Sequence, residues 1–71
     1  MYRSFVMRTG KIEVRLDPTN WKIQDDSAEL GHQAGGVGLD TALNAAEANG
    51  WTFVSMATRA TSDTVVCVVS K

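Results

Sequence analysis

One stretch of the sequence, GHQAGGVGLD at residues 31–40, contains four of the chain's six glycines and its only histidine. Backbone amides without side chains around them can hold a phosphate or a carboxylate, above all where they precede the first turn of a helix. A loop of this kind therefore predicts binding of a small anion or a nucleotide. The candidate ligand-binding residues are His32, Gln33, Gly35, Gly36 and Gly38.

The spacing of these glycines departs from the known phosphate-binding motifs. A P-loop has Gly-Lys-Ser/Thr directly before its helix, where this chain has Leu39 and Asp40. The dinucleotide fingerprint needs a third glycine, which is absent after Gly36 and Gly38. The Asp40 carboxylate would also occupy the position of the anion. The competing interpretation is a mobile connection, or one that a neighbouring subunit orders.

The other reactive side chains form no catalytic pattern. His32 is expected to be exposed on the loop, where it could act as a base or sense pH, but the sequence offers it no nucleophile, second acid or metal. Cys67 lies within VVCVV and is expected to be buried, protonated and inert. Asp25, Asp26 and Glu29 are expected to form a solvated turn. We therefore predict no enzymatic activity, no cofactor and no metal site.

The composition predicts one small globular domain over residues 1–71. Seven basic and eight acidic residues give a net charge of −1, which provides no argument for nucleic acid or a membrane as partner. A chain this short buries only about 60% of its unfolded surface, and a single cysteine allows no intrachain disulfide, which leaves self-association as a source of stability. The apolar runs are too short for a signal peptide or a membrane span, so a cytoplasmic location is expected.

Residues 2–8 and 11–16 are predicted to be antiparallel strands joined by a tight TG turn. KIEVRL alternates apolar and charged residues, as a half-buried strand does, and YRSFVMR is rich in aromatic and branched residues. DPTN ends the second strand, and residues 21–23 are predicted to form at most a short extension. Residues 24–38 show no periodicity and form the predicted glycine-rich loop, which could hold a single helical turn at residues 27–30, with Ser27 as its cap.

A helix is predicted to follow this loop. Asp40 can accept hydrogen bonds from the amides of the first turn, and TALNAAEA is rich in helix-forming residues. The helix should end at Asn49, with Gly50 as a left-handed C-terminal cap and Trp51 packed against the last turn. The narrow face that would lie against the sheet contains Leu39, Leu43 and Ala46.

Two further strands are predicted, in WTFVSMATRA and TVVCVVS, on either side of the polar turn TSD. Residues 65–69 are apolar on both alternating faces, as in a strand that is covered on both sides. Because one helix of about ten residues covers only part of one face, we expect a second copy of the chain on the other face or at the sheet edge. The candidate interface residues are Trp21, Val66 and Val68. The predicted fold class is α+β, a four-stranded antiparallel sheet in the order β-β-α-β-β with one main helix packed on one face.

The stretch ALNAAEANGWTFVSM, residues 42–56, resembles the helix, glycine, tryptophan and strand signature of the small bacterial and phage family known as domain of unknown function 4177. The matching residues are Leu43, Asn44, Gly50 and Trp51, together with the aromatic first strand around Tyr2 and Phe5 and the terminal TVVCVVSK. The chain departs from the family in its longer, more glycine-rich loop 24–38, and in having Ala46 or Ala48 where glycine is frequent. The resemblance implies the fold and an origin in a phage or gene cassette, but no shared activity, since that family has none established.

Two functions follow from these expectations. The first is a non-enzymatic interaction or structural module that binds a protein, including a second copy of itself, most simply as a symmetric homodimer. The alternative is a protein that binds or sequesters a small ligand, an anion or a nucleotide, with the loop at residues 31–38 and is of mobile-element origin. A sulfate or phosphate bound against the amides of Gly36 and Gly38, or a melting temperature raised by nucleotides, would favour the second, and the lack of both effects would favour the first.

Overall fold

Four strands and one helix, in the order β-β-α-β-β, form the fold in the computed structural model, which describes residues 1–9, 20–58 and 63–71. The elements are β1 (Tyr2–Arg8), β2 (Lys22–Ile23), α1 (Leu39–Ala48), β3 (Thr52–Thr58) and β4 (Thr64–Ser70). The predicted α+β class with a four-stranded antiparallel sheet is confirmed. The predicted strand at residues 11–16 lies outside the described residues. The second described strand is instead the short extension predicted around residues 21–23.

The sheet has the order β2-β1-β4-β3, so β1 and β4 are its two central strands. They pair over their full lengths, from Tyr2 opposite Ser70 to Arg8 opposite Thr64. Because side chains alternate across a strand, every second residue of this ladder points to the same face. The buried members of that face are Phe5, Met7, Val65, Cys67 and Val69. These residues form the sheet side of the hydrophobic core.

The helix begins at Leu39, before the predicted cap Asp40. Gly38 occupies the N-cap position with φ of 103° and ψ of 124°, and no side chain caps the first turn. Glycine adopts this backbone conformation far more readily than any other residue. Asp40 is therefore not the cap, but it lies in the first turn, where its carboxylate still interacts favourably with the positive end of the helix.

The predicted end of the helix is confirmed. Asn49 is the C-cap residue, and Gly50 follows with φ of 88°. The Gly50 amide donates to the carbonyl oxygen of Glu47 at 2.9 Å, and the Trp51 amide donates to that of Ala46 at 3.0 Å. This pair of hydrogen bonds is a Schellman motif, and it turns the chain so that Trp51 enters the core, where it is 3% exposed.

The helix packs on the sheet through alanines rather than leucines. Ala42 and Ala46 are buried, whereas Leu39 and Leu43 lie at the margin of the core and are partly buried. The small methyl side chains allow the helix backbone to approach the sheet closely.

Residues 24–38, the predicted glycine-rich loop, contain no helix and no named strand, but backbone hydrogen bonds close tight turns within them. The amides of Ser27 and His32 each donate to the other's carbonyl oxygen, at 2.9 and 2.8 Å, and so close a tight turn. Within it the Leu30 amide donates to Ser27 and the Gly31 amide to Ala28, each at 3.2 Å, which makes one turn but not an α-helix. Leu30 is fully buried, so this segment belongs to the core.

Candidate functional site

The turn at residues 27–32 brings together most of the polar groups that the sequence singled out. Arg3 of β1 contacts this turn through two side chains. Its guanidinium donates to the Ser27 hydroxyl at 3.4 Å and forms an ion pair with the Glu29 carboxylate at 3.2 Å. The turn is fastened to the helix end by the indole Nε1 of Trp51, which donates to the carbonyl oxygen of Glu29 at 3.0 Å. Ser27 therefore does not cap a helix, and its hydroxyl serves the contact with β1.

His32 is buried, with 3% of its surface exposed, although its position in a glycine-rich segment predicts an exposed ring. Its Nε2 lies 2.8 Å from the carbonyl oxygen of Ala42 in the helix. Its ring stands edge-on to Phe5, with 4.6 Å between the ring centroids. The burial arises from contacts with residues that are distant in sequence, which a local pattern does not indicate. A freely accessible base at His32 is thereby excluded.

The second ring nitrogen of His32 has a different environment from Nε2. Within the described chain, Nδ1 of His32 is buried without a hydrogen-bond partner. The turn also borders an open depression of about 470 Å³, lined by Asp26, Ala28, Gly31, His32 and Gln33. The carboxylate of Asp26 accepts a hydrogen bond from the Ala34 amide at 2.7 Å, so this side chain is held at the depression. A carboxylate in the lining makes the depression unfavourable for an anion.

The predicted anion-binding amides are already engaged within the chain. The Gly35 amide donates to the carbonyl oxygen of Ile23 at 2.8 Å, and the Gly36 amide to that of Gln33 at 3.0 Å. The Gly38 amide donates to the carbonyl oxygen of Trp21 at 2.7 Å. Because each amide has one hydrogen, these three groups have none left for a phosphate or carboxylate. The structure brings His32 and Gln33 together at the depression and assigns the three glycines to a second turn beside β2.

The three candidate interface residues fall in two different places. Trp21 is 5% exposed and belongs to the core, so its side chain is not an exposed anchor for a partner. Val66 and Val68 are half-buried and alternate with the core residues of β4, which places them on the sheet face opposite the helix. Neighbours on β1 and β3 flank both valines, because β4 is a central strand.

The sequence analysis did not name the residues of one exposed surface, which lies along β3 at an outer edge of the sheet. All seven residues of β3 are exposed, although β3 pairs with β4 along its length. Phe53 is 50% exposed, Val54 46% and Met56 48%. The sequence signal was present, since TFVSMAT contains no charged residue, but alternation alone does not tell an edge strand from a central one. We call this strand, with its three large apolar side chains, the β3 edge.

Cys67 is fully buried, as predicted. Burial raises the pKa of its thiol from the ordinary 9.0 to about 11, so the thiol stays protonated at neutral pH. Among residues 1–9, 20–58 and 63–71, no three His, Cys, Asp or Glu side chains group together in a way that could hold a metal ion. In that same part of the chain, no helix has the length and apolar character needed to cross a membrane.

Comparison of the chain with protein-family models, with curated proteins and with solved structures found no match in any of the three. The resemblance to domain of unknown function 4177 therefore stays a prediction.

Proposed function

We propose that this chain is a non-enzymatic interaction module that associates with itself, most simply as a symmetric homodimer. The observation that carries the proposal is the β3 edge, a seven-residue strand exposed at every position and bearing Phe53, Val54 and Met56. Several large apolar side chains exposed on one strand are typical of a surface that contacts another protein. A second copy covering this strand would remove them from water.

The internal contacts of the turn at residues 27–32 also favour a binding role over catalysis. His32 is held by Ala42 and Phe5, and burial keeps the Cys67 thiol protonated. Both side chains thus serve the stability of the fold. The ligand-binding alternative has weaker support, because the amides of Gly35, Gly36 and Gly38 are engaged within the chain.

We further propose a cytoplasmic setting and an origin in a phage or gene cassette. A single buried cysteine needs no oxidising compartment, which supports the first of these. The second is supported by the resemblance to domain of unknown function 4177 alone.

Sedimentation velocity over the micromolar to near-millimolar range tests the self-association. We expect the weight-average mass to rise from that of the 7.7 kDa chain toward twice that value. Val54→Lys should weaken the dimer by about tenfold or more, since it places a charge in the contact. Val37→Lys is the matched control, because Val37 is also a valine, is 50% exposed and lies beside β2 instead of β3.

Two results would count against this function. One is a monomer at every concentration. The other is an equal loss of association in both valine variants, which would show that added charge acts without regard to the β3 edge.

A further inference from the structure

The two outer strands of the sheet differ in whether their free side is occupied. Beside β2, the Ile23 amide donates to the carbonyl oxygen of Gly36 at 2.7 Å, and Ile23 in turn accepts from Gly35. The segment 35–38 therefore covers that edge. In the described part of the chain β3 pairs only with β4, so its outer side presents a row of backbone donors and acceptors.

The β3 edge also lacks most of the features that normally keep an edge strand from pairing. Natural edge strands carry lysines, prolines, bulges or inward-pointing charges. The sequence TFVSMAT has no charge, no proline and no glycine, in a chain that is 21% charged. Its one irregularity is a shift of register between Phe53 and Ser55, which leaves Ser55–Thr58 regularly paired with β4.

The absence of charge favours a second copy as the partner. When two identical strands pair antiparallel about a two-fold axis, a charged side chain near the axis would lie beside the same charge of the other copy. The β3 edge has no such conflict. We infer that β3 pairs antiparallel with β3 of a second copy of this chain, which joins the two sheets into one continuous sheet.

The side chains of β3 support this mode of pairing. Phe53 is aligned with Val69 and Met56 with Cys67, so both lie on the helix side of the sheet, where their β4 neighbours are buried. Each nevertheless stays about half exposed, at 50% and 48%. Pairing through β3 would bring Phe53 and Met56 of one copy close to Phe53 and Met56 of the other. The hydrophobic core would then continue from one chain into the next. The inference depends on the self-association proposed above and specifies its geometry.

Disulfide trapping distinguishes this geometry from contact between sheet faces. With the axis near Ser55, the Cα atoms of the two copies of residue 55 lie about 5 Å apart, whereas those of the two copies of residue 58 are about 20 Å apart. Disulfides need Cα atoms within about 7 Å. Ser55→Cys should therefore form self-linked dimers, and Thr58→Cys should not. A cysteine scan of residues 54–56 should give self-linked dimers at one position at least.

Ser4→Cys tests for contact between sheet faces, because Ser4 is exposed and is aligned with Val68 on the face opposite the helix. We expect no self-linked dimer from it. The native Cys67 is buried and serves as a folding check, since its thiol should react only after unfolding. Cross-linking of Ser4→Cys without any from the β3 variants would overturn edge pairing while leaving self-association intact.

A charge exchange gives a second test that needs no oxidation. Ser55→Glu and Ser55→Lys should each weaken the dimer by about fivefold or more, because like charges meet near the axis. Mixing the two should restore association to about the level of the unaltered chain. If both variants dimerise as well alone as mixed, residue 55 is not near its symmetry mate and the edge pairing is wrong. If the unaltered chain is a monomer throughout, the proposed function fails as well.

Discussion

Nε2 of His32 lies 2.8 Å from the backbone carbonyl oxygen of Ala42, and this contact joins the turn at residues 27–32 to the middle of the helix. A carbonyl oxygen can only accept, so Nε2 is the nitrogen that carries the hydrogen. In the neutral ring Nδ1 is then an acceptor, and it is buried without a partner among the described residues. The ring is thus anchored at one nitrogen and closely surrounded at the other.

His32→Ala should lower the free energy of unfolding by about 3 kcal/mol, since it removes a buried ring and a hydrogen bond. Urea unfolding followed by tryptophan fluorescence measures the change. Gln33→Ala is the control, because Gln33 is the exposed neighbour of His32 and its loss should cost about 0.5 kcal/mol or less. Equal effects in the two variants would contradict a structural role for the His32 ring.

Local signals were sufficient to predict the end of the helix. Asn49, Gly50 and Trp51 specify a Schellman motif through residues that are adjacent in sequence, and its hydrogen bonds are present in the structure. The strands at residues 2–8 and 64–70 were likewise predicted from their composition and spacing. These features need no knowledge of the rest of the chain.

The features that were not predicted from the sequence depend on contacts between residues that are distant along the chain. Gly38 takes the place of Asp40 at the start of the helix because its amide is bonded to Trp21, seventeen positions earlier. His32 is buried by Phe5 and Ala42, which no local pattern connects to it. The exposure of β3 follows from strand order, and alternation within a strand does not contain that information.

Gly38→Ala should destabilise the chain by about 1–3 kcal/mol, because the backbone there has a φ that other residues avoid. The added methyl group would also lie 3.1 Å from Oγ1 of Thr41. Gly35→Ala is a matched control with a positive φ of 89° but open space around the new methyl group. Thermal unfolding should show a larger loss of stability for Gly38→Ala than for Gly35→Ala. An equal loss in the two variants would show that crowding against Thr41 does not contribute.

Glu29 should stabilise the fold more through its backbone than through its carboxylate. The ion pair with Arg3 is exposed, at 40% and 59% for the two side chains, so Glu29→Ala should cost about 0.5 kcal/mol or less. Trp51→Phe removes the indole donor to the Glu29 carbonyl oxygen and should cost about 1–2 kcal/mol. Chemical unfolding at low and high salt checks both values. A large, salt-dependent loss of stability in Glu29→Ala would show instead that the carboxylate of Glu29 contributes more than its backbone carbonyl.

The last prediction concerns Cys67 and alkaline pH. Burial raises the pKa of its thiol from 9.0 to about 11 in the folded chain. Between these two pH values the unfolded chain has lost the proton and the folded chain still holds it, so the free energy of unfolding falls as pH rises. The stabilisation is fully present below about pH 9, and about 2 kcal/mol of it is lost by the time pH 11 is reached.

Urea unfolding at pH 7 and at two values between about pH 9 and about pH 11 measures this loss. Cys67→Ala is the control, because it has no thiol to titrate while the other titrating side chains are unchanged. The variant should be less stable than the unaltered chain at pH 7, since it leaves a small cavity among Phe5, Val65 and Val69. That difference should shrink as pH rises. Two stability curves that stay parallel over the whole range would contradict a buried, protonated thiol at Cys67.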